Sequence, residues 1–284
     1  MRAQNSRVIP EIVRDHIKPI TEKEIVSRRG STVWRCTSLT GEHAIKIGYP
    51  IEATTEWPAQ EWTALAPARE AFVLRDVLGQ RIAFGEWSKG TWNVQPWRTG
   101  VSLYDLWASN RKSSALPSAR EIIACCEALD RLHSMGWIHG DVQPAHLIVA
   151  GTRTPRATLI DVALAQGKSV PERFDFPYRG CLVHYEAPEI SESVLSGGKI
   201  TPTQASDVYA LGASLLMSLT GQRHVEYPDD ASRSEQRRAI VSRRHRPISV
   251  PGSMGRLIRA MLQRVPDDRP SARDVAVEVA GWET

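Results

Sequence analysis

The hydrophobic period of this chain changes once, near residue 100. From Glu24 to Gln95, short apolar runs (EIVSRR, GSTVWRC, HAIKIG, RIAFGEW, TWNVQP) alternate with turns at Thr40-Gly41 and Ser88-Lys89-Gly90, the pattern of antiparallel strands joined by hairpins. One stretch in this region, AREAFVLRDVLG after Pro67, has the spacing of a helix opened by Pro in its first turn and closed by Gly79. From Ser102 onward the spacing is helical. Ser118 and Glu121 predict a capping box before a stripe of Ile122, Cys126, Leu129 and Leu132. HLIVAGTRTPRATLID predicts one more hairpin, Asp207 to Leu219 ahead of Gly221 a buried helix, and Ser271 with Asp274 a last helix start. Strands followed by helices, with a junction at Trp97 to Gly100, make an α+β chain.

Its size and composition exclude several classes. With 284 residues, 42% of them apolar, it can bury one large core or two modest ones. Gly 19, Pro 18 and 24% charged residues exclude collagenous, low-complexity and wholly disordered chains. Val208 to Leu219 is too short and too serine-marked to cross a bilayer. The opening MRAQNSRVIPEIVRDH has mixed charges and no apolar run, so no secretory signal is read there and a cytoplasmic location is expected. Cys36, Cys125, Cys126 and Cys181 form no metal-type pair and are expected to be reduced, buried thiols. Net charge is only +4. Seven of nine tryptophans fall in the first 107 residues with no basic run between them, so they are read as core; no nucleic-acid or membrane partner is expected.

The string His139-Gly140-Asp141-Val142-Gln143-Pro144-Ala145-His146, followed by Leu159-Ile160-Asp161, carries the chemistry. Carboxylates on two neighbouring loops suit a base beside a metal ligand, as phosphoryl transfer requires. Either aspartate alone would also serve as an ordinary cap or turn residue.

Taken in order, these and other strings resemble a eukaryotic-type Ser/Thr protein kinase, in a bacterial or otherwise divergent form. Ala44-Ile45-Lys46 resembles the strand of the phosphate-binding lysine, and Glu70 the helix glutamate that pairs with it. LHSMGWIHGDVQPAHLIV resembles the catalytic loop, LIDVALA the metal-binding segment, YEAPE the end of the activation segment, and Gln95-Pro96-Trp97-Arg98 the adenine-gripping hinge. The resemblance implies a bilobal fold, with a small antiparallel-sheet N-lobe over 1–99 that binds ATP and a mainly helical C-lobe over 100–284. It implies Asp141 as base with Gln143 beside it, and Asp161 and His146 as ligands of Mg²⁺ or Mn²⁺. Lys46, Glu70, Gly30, Ser31, Pro96 and Arg98 would contact or position ATP, and Glu189 would pair with Arg269 inside the large lobe, where Asp207 is also structural.

Several positions depart from the family pattern. Gly140 stands in place of the loop arginine that receives a phosphorylated activation segment, so activation by loop phosphorylation is not expected. Gln143 replaces a lysine, His146 an asparagine, Val162-Ala163 the Phe-Gly pair, and only Gly30 remains of the glycine-rich loop. The implied reaction is ATP-dependent transfer to a Ser or Thr of a protein or peptide, with peptide modification in natural-product biosynthesis as one setting. A pseudokinase is the alternative suggested by the departures. A small-molecule phosphotransferase is the other, because the His-Gly-Asp triplet also resembles aminoglycoside and choline kinases, although YEAPE, Asp207 and Arg269 speak against it. The basic run containing Arg237, Arg238, Arg243 and Arg244 reads either as a solvated face or as a docking surface for an acidic peptide.

Overall fold

A computed structural model describes residues 8–53, 59–79, 82–113, 115–242 and 245–283. The chain separates into two compact units, Met1–Arg98 with Ser169–Pro177, and Thr99–Lys168 with Tyr178–Thr284. The nine residues Ser169–Pro177, expected with the helical part, group with the strand-rich one.

In the first unit, β1 (Thr21–Arg28), β2 (Ser31–Ser38), β3 (Gly41–Gly48), β4 (Ala83–Trp87) and β5 (Gly90–Pro96) form an antiparallel sheet in the order β1-β2-β3-β5-β4. Helix α1 (Glu11–Ile17), which the hydrophobic pattern did not announce, closes one apolar cluster: Ile9 and Val13 pack with Cys36, Ile45, Ile47, Trp92 and Val94. Trp92 and Val94 are alternate residues of β5, so Thr91, Asn93 and Gln95 point the other way, towards α2 (Trp62–Leu78).

Helix α2 corrects one expectation. It begins at Trp62, with Glu61 at the N-cap, and Pro67 lies inside it instead of opening it. A proline there withholds one ladder donor and crowds the preceding turn. The neighbouring strand supplies the remedy: Thr91 Oγ1 donates to Ala64 O (2.6 Å) and accepts from Ala68 N (3.2 Å), bridging the groups on either side of the proline. Gly79 closes the helix in the left-handed conformation, as read from the sequence.

Ser169–Pro177 completes this unit. Phe174 meets Phe72 and Phe84, each at a ring-centroid distance of 5.7 Å. The buried Arg69 donates from Nε to Asp175 (3.0 Å) and lies over the Phe176 ring.

The second unit pairs β6 (Val101–Ser102), β7 (Leu147–Ala150) and β8 (Arg156–Leu159) with helices α3 (Leu103–Leu106), α4 (Ala108–Ser113), α5 (Ala119–Ser134), α6 (Pro188–Ser196), α7 (Gln204–Thr220), α8 (Arg233–Val241), α9 (Gly252–Met261) and α10 (Ala272–Ala280). Helix α7 is buried along almost its whole length, and Leu211 and Leu215 share one core with Leu129, Leu257 and Met261. Reciprocal caps open α7, α8 and α10. At α5 the expected box is not made: Ser118 accepts from Arg120 N, while Glu121 accepts from the indole N–H of buried Trp107 (2.8 Å). All four cysteines are free thiols; burial pushes Cys36 up to about 11 and Cys125 to about 12. Among the described residues, no helix is long and apolar enough to cross a membrane.

Replacing Thr91 with Val keeps the shape of the side chain but strands Ala64 O and Ala68 N in a dry site. We expect a loss of about 1–3 kcal/mol, read by urea denaturation; an unchanged midpoint would show that the bridge contributes nothing.

Candidate active site

In the first unit, Lys46 of β3 extends to α2, where Nζ donates to Glu70 Oε1 (2.6 Å). Glu70 is 1% exposed, and so buried a carboxylate needs partners on both oxygens. Oε2 accepts from Asn93 Nδ2 (3.1 Å) and Gln95 Nε2 (3.3 Å), while Asn93 also donates to Pro67 O. Sequence reasoning missed Asn93 and Gln95, which hold Glu70 in place; the available signal was polar residues at alternate positions of an interior strand of the sheet.

Gly30 and Arg29 form a two-residue turn between β1 and β2, with φ values of 74° and 51°, the primed-turn geometry that glycine favours. A Cβ on Gly30 would meet Thr63 Oγ1 at 2.5 Å and Tyr49 O at 2.6 Å, so its lack of a side chain is required by packing within this unit. Ser31 begins β2 opposite Arg28 and Gly48. Pro96 ends β5 opposite His43, and burial lowers the Arg98 pKa.

In the second unit the string His139 to His146 is organised from α7. Asp207, 1% exposed, takes three donors: His139 N (2.7 Å) and His133 Nε2 (3.0 Å) on Oδ2, and Gly140 N (2.9 Å) on Oδ1. His139 in turn accepts from Asp141 N at Nδ1 and, through Nε2, donates to Ile160 O (3.1 Å). One buried imidazole therefore links the loop of Asp141 to the residue before Asp161. Burial pushes its pKa down to about 4, so it is neutral.

Asp141 Oδ2 accepts from Gln143 Nε2 (3.1 Å), and Oδ1 from Leu182 N (3.3 Å). Burial raises the carboxyl to about 6, against the lowering influence of His146 and these two hydrogen bonds. His146 Nδ1 lies 2.9 Å from the carbonyl oxygen of Asp141, which can only accept, so Nδ1 carries the hydrogen. Nε2 then faces Asp161 Oδ2 at 3.3 Å. Two electron-pair donors so close fit a cation between them, either a proton or a divalent metal. Among the described residues, no third His, Cys, Asp or Glu joins them in a cluster, so an ion held here would complete its shell with phosphate oxygens and water. Asp161 sits at φ 62°, a left-handed conformation rare outside glycine.

Gly140 also sits in this region, at φ 75°, with Tyr178 and Leu164 O at 3.0 and 3.1 Å from where a Cβ would stand. Tyr178 donates its hydroxyl hydrogen to Gly140 O (2.7 Å). The absent arginine is thus a matter of backbone shape as well as of charge.

The segment after the loop supplies the carboxylates of two ion pairs, one buried and one partly buried. Glu189 and Arg269 form the expected bidentate pair (2.7 and 2.8 Å), and Arg269 also donates to Gln263 O, Ala205 O and Arg264 O. The second pair was not foreseen. Arg237 of α8 binds Glu186 at 2.7 and 2.9 Å, and Glu186 also accepts from Ser191 and from Cys181 N. This corrects the docking surface: Arg237 is engaged inside the molecule because a fully buried Glu186 requires a cation. Arg238 is exposed on α8, and Arg243 and Arg244 lie outside the described residues.

Residues 94–278 match the family described as the protein kinase domain, well over half of the chain. The chain belongs to that family. This kinase domain is 31% identical over 159 residues to serine/threonine-protein kinase PknK of Mycobacterium tuberculosis, covering 54% of this chain and 13% of that protein. It is 31% identical over 157 residues to mitogen-activated protein kinase kinase kinase 8 of Rattus norvegicus (52% and 31%). With serine/threonine-protein kinase PkaA of Streptomyces coelicolor it shares 26% over 181 residues (62% and 31%). The aligned region spans less than a third of each of these curated relatives. The fold is the α+β kinase fold, with an antiparallel-sheet unit and a mainly helical unit.

Two outcomes follow for this kinase domain. Gly140→Ala forces a side chain into the left-handed region and should cost roughly 1–2 kcal/mol, seen as a lower urea midpoint; wild-type stability would show that the loop adapts freely. His139 is protonated more readily when unfolded than when folded. Its contribution is present above pH 6.5 and is lost as pH falls towards 4, by at most roughly 3 kcal/mol. Asp141, raised in the fold, acts in the opposite sense between pH 3.8 and about 6. Comparing wild type with His139→Gln isolates the histidine: the stability difference should shift in favour of the variant below pH 6.5, and a parallel pair of pH curves would refute the assignment.

Proposed function

We propose that this kinase domain transfers the γ-phosphoryl group of ATP to a Ser or Thr hydroxyl of a protein or peptide, with residues 1–99 serving the nucleotide and residues 100–284 the chemistry and the acceptor. The observation that carries this reading is the arrangement of Asp141: one oxygen accepts from Gln143, the other from Leu182 N, and His146 with Asp161 lies alongside.

In this reading Asp141 takes the proton of the acceptor hydroxyl. A carboxyl pushed up to about 6 is still mostly ionised at pH 7 and more basic than an ordinary aspartate, which is the property a base needs. Gln143 and Leu182 N fix its orientation. Lys46, held by Glu70, contacts phosphate oxygens from the first unit, and Asn93 and Gln95 keep Glu70 in place. Arg98 and Pro96 form the adenine-side backbone, with Gly30 and Ser31 in the covering turn. A divalent ion, Mg²⁺ or Mn²⁺, on Asp161 and His146 would neutralise charge on the phosphates. A peptide of natural-product biosynthesis is the narrower acceptor class, and Arg238 is the described cation still available to an acidic one.

The test uses labelled ATP, a panel of protein and peptide acceptors, and phosphosite mapping. Wild type should label Ser or Thr, and Asp141→Asn should lose about 10²–10⁴-fold in transfer while retaining nucleotide binding. His146→Asn should keep activity with Mg²⁺ at or above the wild-type level, since an amide oxygen suits a hard ion. Wild type that binds ATP without transferring phosphate to any acceptor would identify a nucleotide-binding module instead. Full activity in Asp141→Asn would exclude this residue as the base.

A further inference from the structure

A second group of cationic and imidazole side chains lies in the helical unit, formed by residues that the catalytic reading does not use. A cavity of about 510 Å³ is lined by His224, His245, Arg246, Arg259 and Arg264, with Ile248 and Leu262 among its apolar residues. Among the described residues, no carboxylate lines it.

The basic residues come from three stretches that the fold ties together. Val225 and His245 form a β-bridge, and Arg246 N donates to His224 O (2.7 Å). The His224 and His245 rings lie 4.4 Å apart, at 30°. Arg259, exposed near the end of α9, donates to Ile248 O (3.2 Å). Arg264 follows α9, and its carbonyl is held by the buried Arg269.

Among the described residues, Nη1 of Arg264 and Nδ1 of His224, a residue only 8% exposed, are buried without a hydrogen-bond partner. A buried donor without an acceptor is costly and uncommon. Burial and the adjacent His245 push the His224 pKa down to about 4, so at neutral pH this imidazole can offer an N–H without first being charged. Arg246 lies 3.7 Å from Glu226, which is itself largely exposed.

We propose that this cavity binds a phosphomonoester, that of a phosphorylated Ser or Thr in a peptide. Three guanidinium groups beside two imidazoles match the several oxygens of a phosphate better than a single carboxylate, and an anion there would supply the missing acceptor for Arg264 and a partner for His224. The apolar residues leave room for an adjoining peptide side chain, which free phosphate would not use. Binding here requires neither Asp141 nor ATP, so its outcome is separate from that of the transfer reaction.

Isothermal titration of the whole chain with the peptide Ala-Ala-pSer-Leu-Ala, its unphosphorylated form, its Glu-for-pSer form and inorganic phosphate provides the test. The phosphopeptide should bind at least 10-fold more tightly than the unphosphorylated and Glu forms, and Arg264→Gln should remove at least 10-fold of that affinity. Arg259→Gln, at an exposed position, should cause a loss in the same direction and keeps the test open if the Arg264 variant fails to fold. Phosphopeptide and inorganic phosphate binding equally would overturn the peptide assignment in favour of a free anion. Equal binding of all forms, or unchanged affinity in both variants, would overturn the site.

Discussion

Three donors converge on the carboxylate of Asp207, and the shape of the loop that carries Asp141 follows from that convergence. Two of them are the consecutive backbone amides of His139 and Gly140, so the peptide leading into Asp141 is fixed from α7. His139 extends the constraint to Ile160 and thus to the loop of Asp161. Removing one partner of such a buried charged network is far more disruptive than losing a surface pair, because the remaining donors are left without acceptors. The positions of Asp141 and Asp161 therefore depend on a residue with no evident chemical role of its own.

The strand-rich unit uses the same device. Glu70 is as buried as Asp207 and is likewise surrounded by donors from other elements, Lys46 from β3 and two amides from β5. In both units a carboxylate withdrawn from water makes flexible groups adopt one arrangement. The helical unit adds Glu186 with Arg237 and Glu189 with Arg269, which tie the residue before α6 to α8 and the first turn of α6 to the turn before α10.

Period and turn chemistry were sufficient to read the hairpins, α7 with its glycine stop, and the start of α10, because these depend on local pattern. The Lys46–Glu70 and Glu189–Arg269 pairs were reached through resemblance. The residues that were missed share a physical trait: their state is decided by partners remote in sequence. Asn93 and Gln95 received no role from the strand pattern, because the face they share is covered by α2, a separate element. Arg237 read as part of a charged surface, yet a carboxylate 51 residues away takes it inside. Pro67 read as a helix start because the hydroxyl that accommodates it belongs to Thr91, on another strand. The short α1 carries too few apolar residues to stand out until its Val13 is seen against the sheet.

The grouping of Ser169–Pro177 with the strand-rich unit bears on how the chain is made. Phe174 and Asp175 are synthesised after all of residues 99–168, yet they supply the ring that meets Phe72 and Phe84 and the anion that meets buried Arg69. On a ribosome that emits the amino terminus first, the aromatic rings of Phe72 and Phe84 wait for Phe174, and Arg69 for Asp175, while residues 99–168 emerge. The full contact set of the strand-rich unit is therefore reached only once this later stretch of the chain is available.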